Sequence, residues 1–375
     1  MIYFDSAATT FQKPAAVASA VAEALHTMSS PGRGGYAAAM RGADTVFACR
    51  EELAQLFLLK DPGRVVFTMN ATHALNIAIK SLVKPGGRAV ISGYEHNAVT
   101  RPLQAIGAKV EIAQAPLFSP EETLAAFDAL IHPGVDAVIC THVSNVFGAV
   151  QPVEGIAAMC RERGVPFIID ASQSAGILPL DMEALGAAFI AMPGHKSLYG
   201  PQGTGVLLCG EGWETRTLLE GGTGSMSLLQ EMPDFLPDRL EAGTHNVPGI
   251  AGLLAGVRYV REKGLEAICE KERRLAWMAA EDLQGLNGVK VYALSGLPGQ
   301  TGVVSFTVDG MDSEAVAEAL GKLEIAVRAG LHCAPAAHRS AGTLERGTVR
   351  LSFSDFNTEE EVARFLDHMC TLQAR

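Results

Sequence analysis

Short apolar segments alternate, along the first two thirds of the chain, with segments whose apolar residues recur every three or four positions. The short segments are typical of buried strands, and the periodic ones are typical of amphipathic helices. The predicted strands are residues 64–67, 88–92, 109–115, 136–141, 165–170, 187–192 and 205–209. The predicted helices between them are residues 72–83, 99–106, 121–131 and 153–163. This alternation predicts an α/β fold with a mostly parallel sheet covered by helices on both faces.

The pattern changes after about residue 250. Two helical stretches, 250–263 and 271–286, precede a strand at 302–309, a helix from Ser313, a strand at 348–353 and a helix from Thr358. This order predicts a smaller α+β unit. A chain of 375 residues is long enough for two domains.

Composition narrows the function classes. The chain is 48% hydrophobic and 19% charged, which is typical of a globular protein. Its net charge of −11 disfavours nucleic acid or an anionic membrane as the main partner. No apolar run approaches a membrane span, and no secretion signal is visible. The seven cysteines are scattered singly, so we expect a reducing, cytoplasmic location, no disulfide framework and no metal site.

A lysine follows one of the predicted buried strands. Lys196 comes after the strand at 187–192 and is flanked by glycines, so we expect it to be partly desolvated and nucleophilic. Asp170 ends the strand before it, and open α/β sheets bind ligands at the carboxyl ends of their strands. A lysine for an aldehyde and an acid for a pyridine nitrogen indicate pyridoxal phosphate.

Other predicted strands also end in polar residues. His96 is suited to stack on an aromatic cofactor, and Asn145 and Gln173 to hydrogen-bond its phenolic oxygen. Thr72, at a helix start, and His195 are candidate phosphate contacts. Each has an ordinary alternative: a structural histidine, a turn amide or a helix N-cap. Their repetition at separate strand ends favours a common site.

The C-terminal unit adds a cysteine. Cys333 follows His332 and lies near two arginines, and a cationic neighbourhood makes a thiol more nucleophilic. The alternative is an inert buried thiol, by which we interpret the other six. Arg350 interrupts a strand and is suited to hold a substrate carboxylate, unless it projects from the solvent face.

Taken together, these residues resemble one family nearly from end to end. The chain is similar to class V, fold-type I pyridoxal phosphate enzymes of the cysteine desulfurase and selenocysteine lyase group. The matching elements are residues 3–10, 71–76, 95–97, 142–145, 170–173, 194–196, 241–244, 328–333 and 349–352. The resemblance implies a large cofactor-binding domain, residues 15–250, with a seven-stranded sheet. It implies a small domain formed by residues 1–14 and 251–375.

The resemblance also implies the role of each site residue. Lys196 would bond the cofactor aldehyde and act in catalysis with His96, which stacks on the ring. Asp170 would pair with the pyridine nitrogen. The remaining cofactor ligands would be Asn145, Gln173, Thr72, His195 and, from a second subunit, Thr244. Arg350 and Arg328 would bind substrate, and Cys333 would accept the sulfur.

The implied reaction converts L-cysteine to L-alanine and leaves a persulfide on Cys333. The implied assembly is a homodimer, with a possible sulfur-acceptor protein as partner and no nucleic acid or membrane. The pathway stays open, iron–sulfur cluster assembly included. Alternatives are a selenocysteine lyase, another class V aminotransferase or lyase, or, from a different class, a non-catalytic sulfur-transfer scaffold. The chain departs from the family at an extra Ser197 and in segment 32–36, which lacks the histidine of better-known members.

Overall fold

The computed structural model describes residues 1–32, 34–294 and 299–373. The strands are β1 Ile2–Tyr3, β2 Val65–Thr68, β3 Arg88–Ser92, β4 Lys109–Ala113, β5 Ala137–Thr141, β6 Phe167–Asp170, β7 Phe189–Pro193, β8 Gly205–Cys209, β9 Val289–Tyr292, β10 Val303–Val308, β11 Ile325–Ala326, β12 Arg328–Gly330 and β13 Thr348–Ser352. The helices are α1 Ala15–Thr27, α2 Ala37–Leu56, α3 Ala71–Leu82, α4 Asn97–Ala105, α5 Pro120–Leu130, α6 Val153–Arg163, α7 Met182–Leu185, α8 Val247–Lys263, α9 Leu265–Gln284, α10 Ser313–Gly321, α11 Pro335–Ala341 and α12 Glu359–Gln373.

The seven predicted strands form one sheet in the order β2-β8-β7-β6-β5-β3-β4. Neighbours from β4 to β7 are parallel, and β8 runs antiparallel to both β7 and β2. The prediction of a mostly parallel α/β sheet is therefore confirmed. The chain places β4 on one side of β3 and then returns to lay β5 on the other side. This reversal opens a crevice at the carboxyl ends of β3 and β5.

Helices cover both faces of the sheet, as predicted. On one face, Val138 and Ile169 pack with Leu53 of α2 and Leu253 of α8. On the other face, Ile91 and Ile139 pack with residues of α3 and α4. Because β5, β6 and β7 are buried along their whole length, the sheet gives their carboxyl ends a rigid foundation.

A smaller antiparallel sheet, β12-β13-β10-β9, forms the C-terminal unit, and α9 and α12 contribute to its core. The N-terminal strand joins this unit, because β1 pairs with β11 through Ile2 and Ile325. The domain limits at residues 14 and 250 stay a prediction. Among the described residues, no helix has the length and apolar character needed to cross a membrane.

Several elements were not predicted. Helices α1 and α2 are rich in alanine, which gives a weak apolar period. Strand β12 contains an arginine and a glycine, and it is a strand because it pairs with β13. Helix α9 begins at Leu265 rather than at 271, directly after Gly264, whose φ of +89° ends α8.

Candidate active site

Four neighbouring strands deliver polar residues to one edge of the large sheet. His96 follows β3, Asn145 follows β5, Asp170 ends β6 and Lys196 follows β7. Asp170 lies opposite Thr141 of β5 and Ala191 of β7 in the ladder. The crevice between β3 and β5 therefore opens beside these side chains.

Seven of the eight predicted cofactor ligands line one cavity of about 210 Å³ at this edge. They are Thr72, His96, Asn145, Asp170, Gln173, His195 and Lys196. Asp170 is buried, and its Oδ1 accepts a 2.9 Å hydrogen bond from the amide of Ser172. The structure thus brings together residues that are spread over more than a hundred positions of sequence.

The protein around Lys196 favours its neutral amine. Lys196 keeps partial exposure through the cavity, but burial lowers its pKa to about 8. Arg350 and Arg328 lower this pKa further, while Asp170 and Asp5 raise it. A neutral amine is the form that attacks an aldehyde and that accepts a proton.

Two of the cavity amides bind distant backbone. Asn145 Nδ2 donates to the carbonyl of His332 at 2.8 Å, and Gln173 Nε2 donates to the carbonyl of Ala7 at 2.9 Å. These bonds link the large sheet to the cysteine segment and to the N-terminal segment, so a purely local turn role is wrong for both residues.

Both histidines of the cavity favour their neutral forms. His96 is the N-cap of α4, and its Nδ1 accepts a 3.0 Å hydrogen bond from the amide of Ala98. His195 Nδ1 lies 3.1 Å from Thr9 Oγ1. Burial lowers the pKa of His96, and it lowers that of His195 to about 4 with help from Lys196 and Lys13.

The start of α3 provides a site for an anion. Asn70 is the N-cap, and its Oδ1 accepts a 2.9 Å hydrogen bond from the amide of His73. Asn70, Ala71 and Thr72 all line the cavity. A helix N-terminus with a hydroxyl beside it favours a phosphate group.

Arg350 is buried rather than on a solvent face. Only 2% of its surface is exposed. Its Nη1 donates to the carbonyl of Asn145 at 2.9 Å, and its Nη2 donates to Asp5 Oδ1 at 2.7 Å. Arg328 Nη2 lies 2.9 Å from Asp5 Oδ2. Both predicted substrate-binding arginines thus share one carboxylate beside Lys196.

Cys333 is exposed and lies in a second cavity, of about 330 Å³, next to the first. Thr72, His96 and Ala98 border both cavities. His332 and Cys333 have φ angles of +49° and +56°, a backbone conformation that residues other than glycine rarely adopt. The amide of Asn97 donates to the carbonyl of Cys333 at 2.8 Å and holds this turn against α4.

Of the other six cysteines, five are buried as predicted, and the prediction is wrong for Cys370, which is exposed. Burial raises the pKa of the Cys160 and Cys209 thiols to about 12, which keeps them protonated and unreactive. Only Cys333 combines exposure with a position beside the candidate site.

Thr244 is not in the cofactor cavity of its own chain. It lines a separate cavity of about 150 Å³ together with Glu241 and His245. Glu241 holds this segment in place, because its carboxylate binds the buried Arg50 at 2.8 Å and His245 at 2.5 Å.

Two buried acids near the cavity, Asp5 and Glu95, had no role predicted from the sequence. Asp5 is the shared partner of Arg328 and Arg350. Glu95 is completely buried; its Oε1 accepts hydrogen bonds from Ser92 Oγ at 2.5 Å and from the amide of Thr141 at 2.8 Å. Burial and Asp170 raise the pKa of Glu95 to about 8. The sequence signal that could have identified both acids is their position, two or three residues after an apolar strand, where other site residues also lie.

Of the two departures from the family pattern, Ser197 belongs to a turn in which the amide of Tyr199 donates to the carbonyl of Lys196 at 2.8 Å. This turn packs on Gly176, where an added Cβ would lie 2.3 Å from the carbonyl oxygen of Ser197. In the second departure, segment 32–36, Arg33 lies outside the described residues.

The cavity fits pyridoxal phosphate by the chemistry of its groups. It offers an amine with a lowered pKa, a buried carboxylate, an imidazole, two amides and a helix N-terminus. These are the partners for an aldehyde, a pyridine nitrogen, an aromatic ring, a phenolic oxygen and a phosphate respectively.

The chain matches the family described as aminotransferase class-V over residues 2–365. It is 33% identical to a probable cysteine desulfurase of Xylella fastidiosa, covering 98% of this chain and 89% of that protein. It is 32% identical to a probable cysteine desulfurase of Pyrococcus abyssi, covering 98% and 92%. Its fold is similar to the apo structure of cysteine desulfurase from Thermococcus onnurineus NA1, with a TM-score of 0.90, 32% identity, and 99% and 94% coverage.

Proposed function

The chain belongs to the class V aminotransferase family, and we propose that it is a pyridoxal phosphate-dependent cysteine desulfurase. Its substrate would be L-cysteine, and its products L-alanine and a persulfide on Cys333. The observation that carries the proposal is the pair of adjoining cavities: one contains Lys196 and Asp170, and the other contains the exposed Cys333.

When bound, pyridoxal phosphate supplies an electron sink for a carbanion at the substrate Cα. Lys196 would hold its aldehyde carbon, Asp170 its pyridine nitrogen, and Asn145 and Gln173 its phenolic oxygen. His96 would lie against the ring. Thr72 and His195 would hold the phosphate at the start of α3.

Lys196 is suited to move the Cα proton. With a pKa of about 8, roughly a tenth of its amine is neutral at pH 7, far more than in an ordinary lysine, so Nζ can accept a proton from the substrate and return it. Arg350 would bind the substrate carboxylate with Nε, which is buried and has no partner among the described residues.

The sulfur step uses Cys333 and needs no outside oxidant. The Cys333 thiolate attacks the substrate sulfur, a sulfur–sulfur bond forms and the substrate carbon–sulfur bond breaks. The electron pair of that bond stays with the carbon, which is protonated to give alanine. Arg328 lies close enough to Cys333 for the charge of the cysteine to raise the pKa of the guanidinium, so a cation stands near the proposed nucleophile.

The site would be completed in a homodimer. Thr244 lies outside the cavity of its own chain, so as a phosphate ligand it would serve the cavity of a second copy. Large apolar side chains are exposed on the segment before it, which favours coverage by a partner. They are Leu219, Met226, Leu228, Leu229 and Phe235. We further propose a cytoplasmic location, consistent with seven free cysteines.

The test is the formation of alanine and sulfide from L-cysteine by the purified holoenzyme with dithiothreitol, which reduces the Cys333 persulfide and releases its outer sulfur as sulfide. We expect Cys333→Ala to lose both products, while Cys370→Ala, the other exposed cysteine, keeps them. We expect Lys196→Ala to lose the visible absorbance of the bound cofactor. Full activity of Cys333→Ala on L-cysteine would refute the assignment of Cys333 as the nucleophile. If that variant acts better on L-selenocysteine than on L-cysteine, a selenocysteine lyase would be favoured.

A further inference from the structure

The cavity of about 330 Å³ around Cys333, here called the outer cavity, adjoins the cofactor cavity and shares only Thr72, His96 and Ala98 with it among the described residues. Cys333 borders the outer cavity only, while His96 borders both. A sulfur atom on Cys333 would therefore be reachable from the outer side without entry into the cofactor cavity. A volume of this size is at the small end of small-molecule sites.

The walls of this outer cavity carry positive charge. Arg101 lines it one helical turn after Asn97, whose amide binds the carbonyl of Cys333. Residues four apart on a helix are neighbours on its surface. Within the described part of the chain, Arg101 has no hydrogen-bond or carboxylate partner, although its charge lowers the pKa of His96.

The surrounding segments contain no acid at all. Residues 71–82, 97–105 and 328–341 include four lysines and arginines but no aspartate or glutamate. The whole chain, in contrast, carries 41 acidic and 30 basic residues. Arg328 is paired with Asp5, so Arg101 is the charge that suits the outer cavity to an anion, and no acid is among the described residues that line it.

Given the proposed function, we propose that the outer cavity binds a small anionic thiol, which takes the sulfur from Cys333 and whose carboxylate is held by Arg101. The acceptor thiolate attacks the outer sulfur of the Cys333 persulfide. A new sulfur–sulfur bond forms on the acceptor, the bond to Cys333 Sγ breaks, and Cys333 leaves as a thiolate. The exchange is redox-neutral and regenerates the enzyme.

The first test measures anion recognition without any desulfurase activity. The holoenzyme is alkylated with iodoacetate or with neutral iodoacetamide, and the rate constants at Cys333 and Cys370 are read by peptide mass spectrometry. We expect Arg101→Gln to lower the iodoacetate-to-iodoacetamide ratio at Cys333 about three- to fivefold. Arg101→Lys should restore most of it, and Arg339→Gln, in the same basic segments but outside the cavity, should not change it. The ratio at Cys370 is the internal reference.

The second test follows the sulfur. Enzyme loaded with ³⁵S from L-cysteine and desalted is discharged with 3-mercaptopropionate, 2-mercaptoethanol or cysteamine, and rates are corrected for thiolate fraction. We expect the anionic thiol to be fastest and Arg101→Gln to remove that preference. Failure to load ³⁵S on Cys333 would refute the proposed desulfurase. Two results would overturn the anionic-thiol proposal but leave the desulfurase proposal standing. One is normal loading with the same thiol preference in Arg101→Gln. The other is normal loading with discharge by none of the three thiols, which is expected if the acceptor is a protein.

Discussion

Asp5 Oδ1 accepts a 2.7 Å hydrogen bond from Nη2 of the buried Arg350. The two residues are 345 positions apart, and Asp5 also binds Arg328 through both carboxylate oxygens. An N-terminal residue thus pairs with both arginines to which we assign the substrate. Arg350 is 2% exposed, and Asp5 is the one carboxylate paired with it among the described residues, so the charge of Arg350 depends on Asp5.

We expect Asp5→Asn to destabilise the protein by about 3 kcal/mol, because it leaves a buried guanidinium without its counter-charge. Urea unfolding of the variant measures this loss. The double variant Asp5→Asn with Arg350→Met should recover part of it, since the buried guanidinium that lost its partner is then removed as well. Asp282→Asn, at an exposed position, is the matched control. A midpoint for Asp5→Asn equal to that of the control would show that Asp5 is not the counter-ion.

Glu95 should make stability depend on pH in an unusual direction. Its pKa is raised to about 8 from an ordinary value of 4.5, so between these values the folded state binds more protons than the unfolded state. Its contribution is complete below pH 4.5 and is lost as the pH rises through 8. Glutamine has the shape of a protonated glutamate but does not titrate. Between pH 4.5 and 8, the unfolding free energy of Glu95→Gln minus that of wild type should therefore increase, by an amount on the order of 3–4 kcal/mol.

Unfolding free energies at pH 5, 6, 7 and 8 test this prediction, with Glu281→Gln at an exposed position as control. The control should follow wild type at every pH. A constant difference between Glu95→Gln and wild type would mean that Glu95 is charged throughout.

The strand ends were predictable from the sequence because their signal is local. An apolar run followed by a polar residue fixes the position of Lys196 or Asp170 along a strand, and parallel strands bring such ends to one edge. The same signal predicted the bounds of β3 and β8 correctly. Strand β4, Lys109–Ala113, was predicted two residues too long at its end, because the apolar Ala115 lies only two residues after it.

Contacts across the whole chain could not be predicted in this way. The partners of Asp5 are on β12 and β13, and β12 has no strand-like sequence of its own. Thr244 is a different case, because in the proposed homodimer the cavity that it completes would belong to a second copy. Its role follows from the family resemblance and has no signal in local sequence.

Lys196 should titrate well below an ordinary lysine. In cofactor-free protein, pulse labelling with acetic anhydride should modify Lys196 increasingly as the pH rises through about 8, because only the neutral amine reacts. An unperturbed lysine has a pKa of about 10.4, so its labelling increases only at much higher pH. The exposed Lys109 gives the reference profile in the same digest.

Asp170→Asn should shift the Lys196 profile to still lower pH, because Asp170 raises the pKa of this amine. The Lys109 profile should not move. Coincident profiles for the two lysines in wild type would contradict the assigned environment of Lys196.

The hydrogen bond from the Asn97 amide to the Cys333 carbonyl should hold the cysteine turn in its positive-φ conformation. Asn97→Pro removes this N–H at the first residue of α4, a position where proline is favoured. His96 already has the extended backbone that precedes a proline, with φ −74° and ψ 156°. We therefore expect unfolding free energy to change by less than about 1 kcal/mol, while amide exchange at residues 331–334 becomes faster.

Asn97→Ala is the matched control, since it removes the same side chain but keeps the N–H. In the holoenzyme, Asn97→Pro should load persulfide on Cys333 several-fold more slowly than Asn97→Ala, with the cofactor absorbance of the two variants equal. Because His332 stays anchored by Asn145, the turn loses one of its two backbone anchors and not both. Equal exchange and equal loading in the two variants would show that the N–H does not hold Cys333, and that the contacts of His332 with Asn145 and Thr348 are enough to fix the turn.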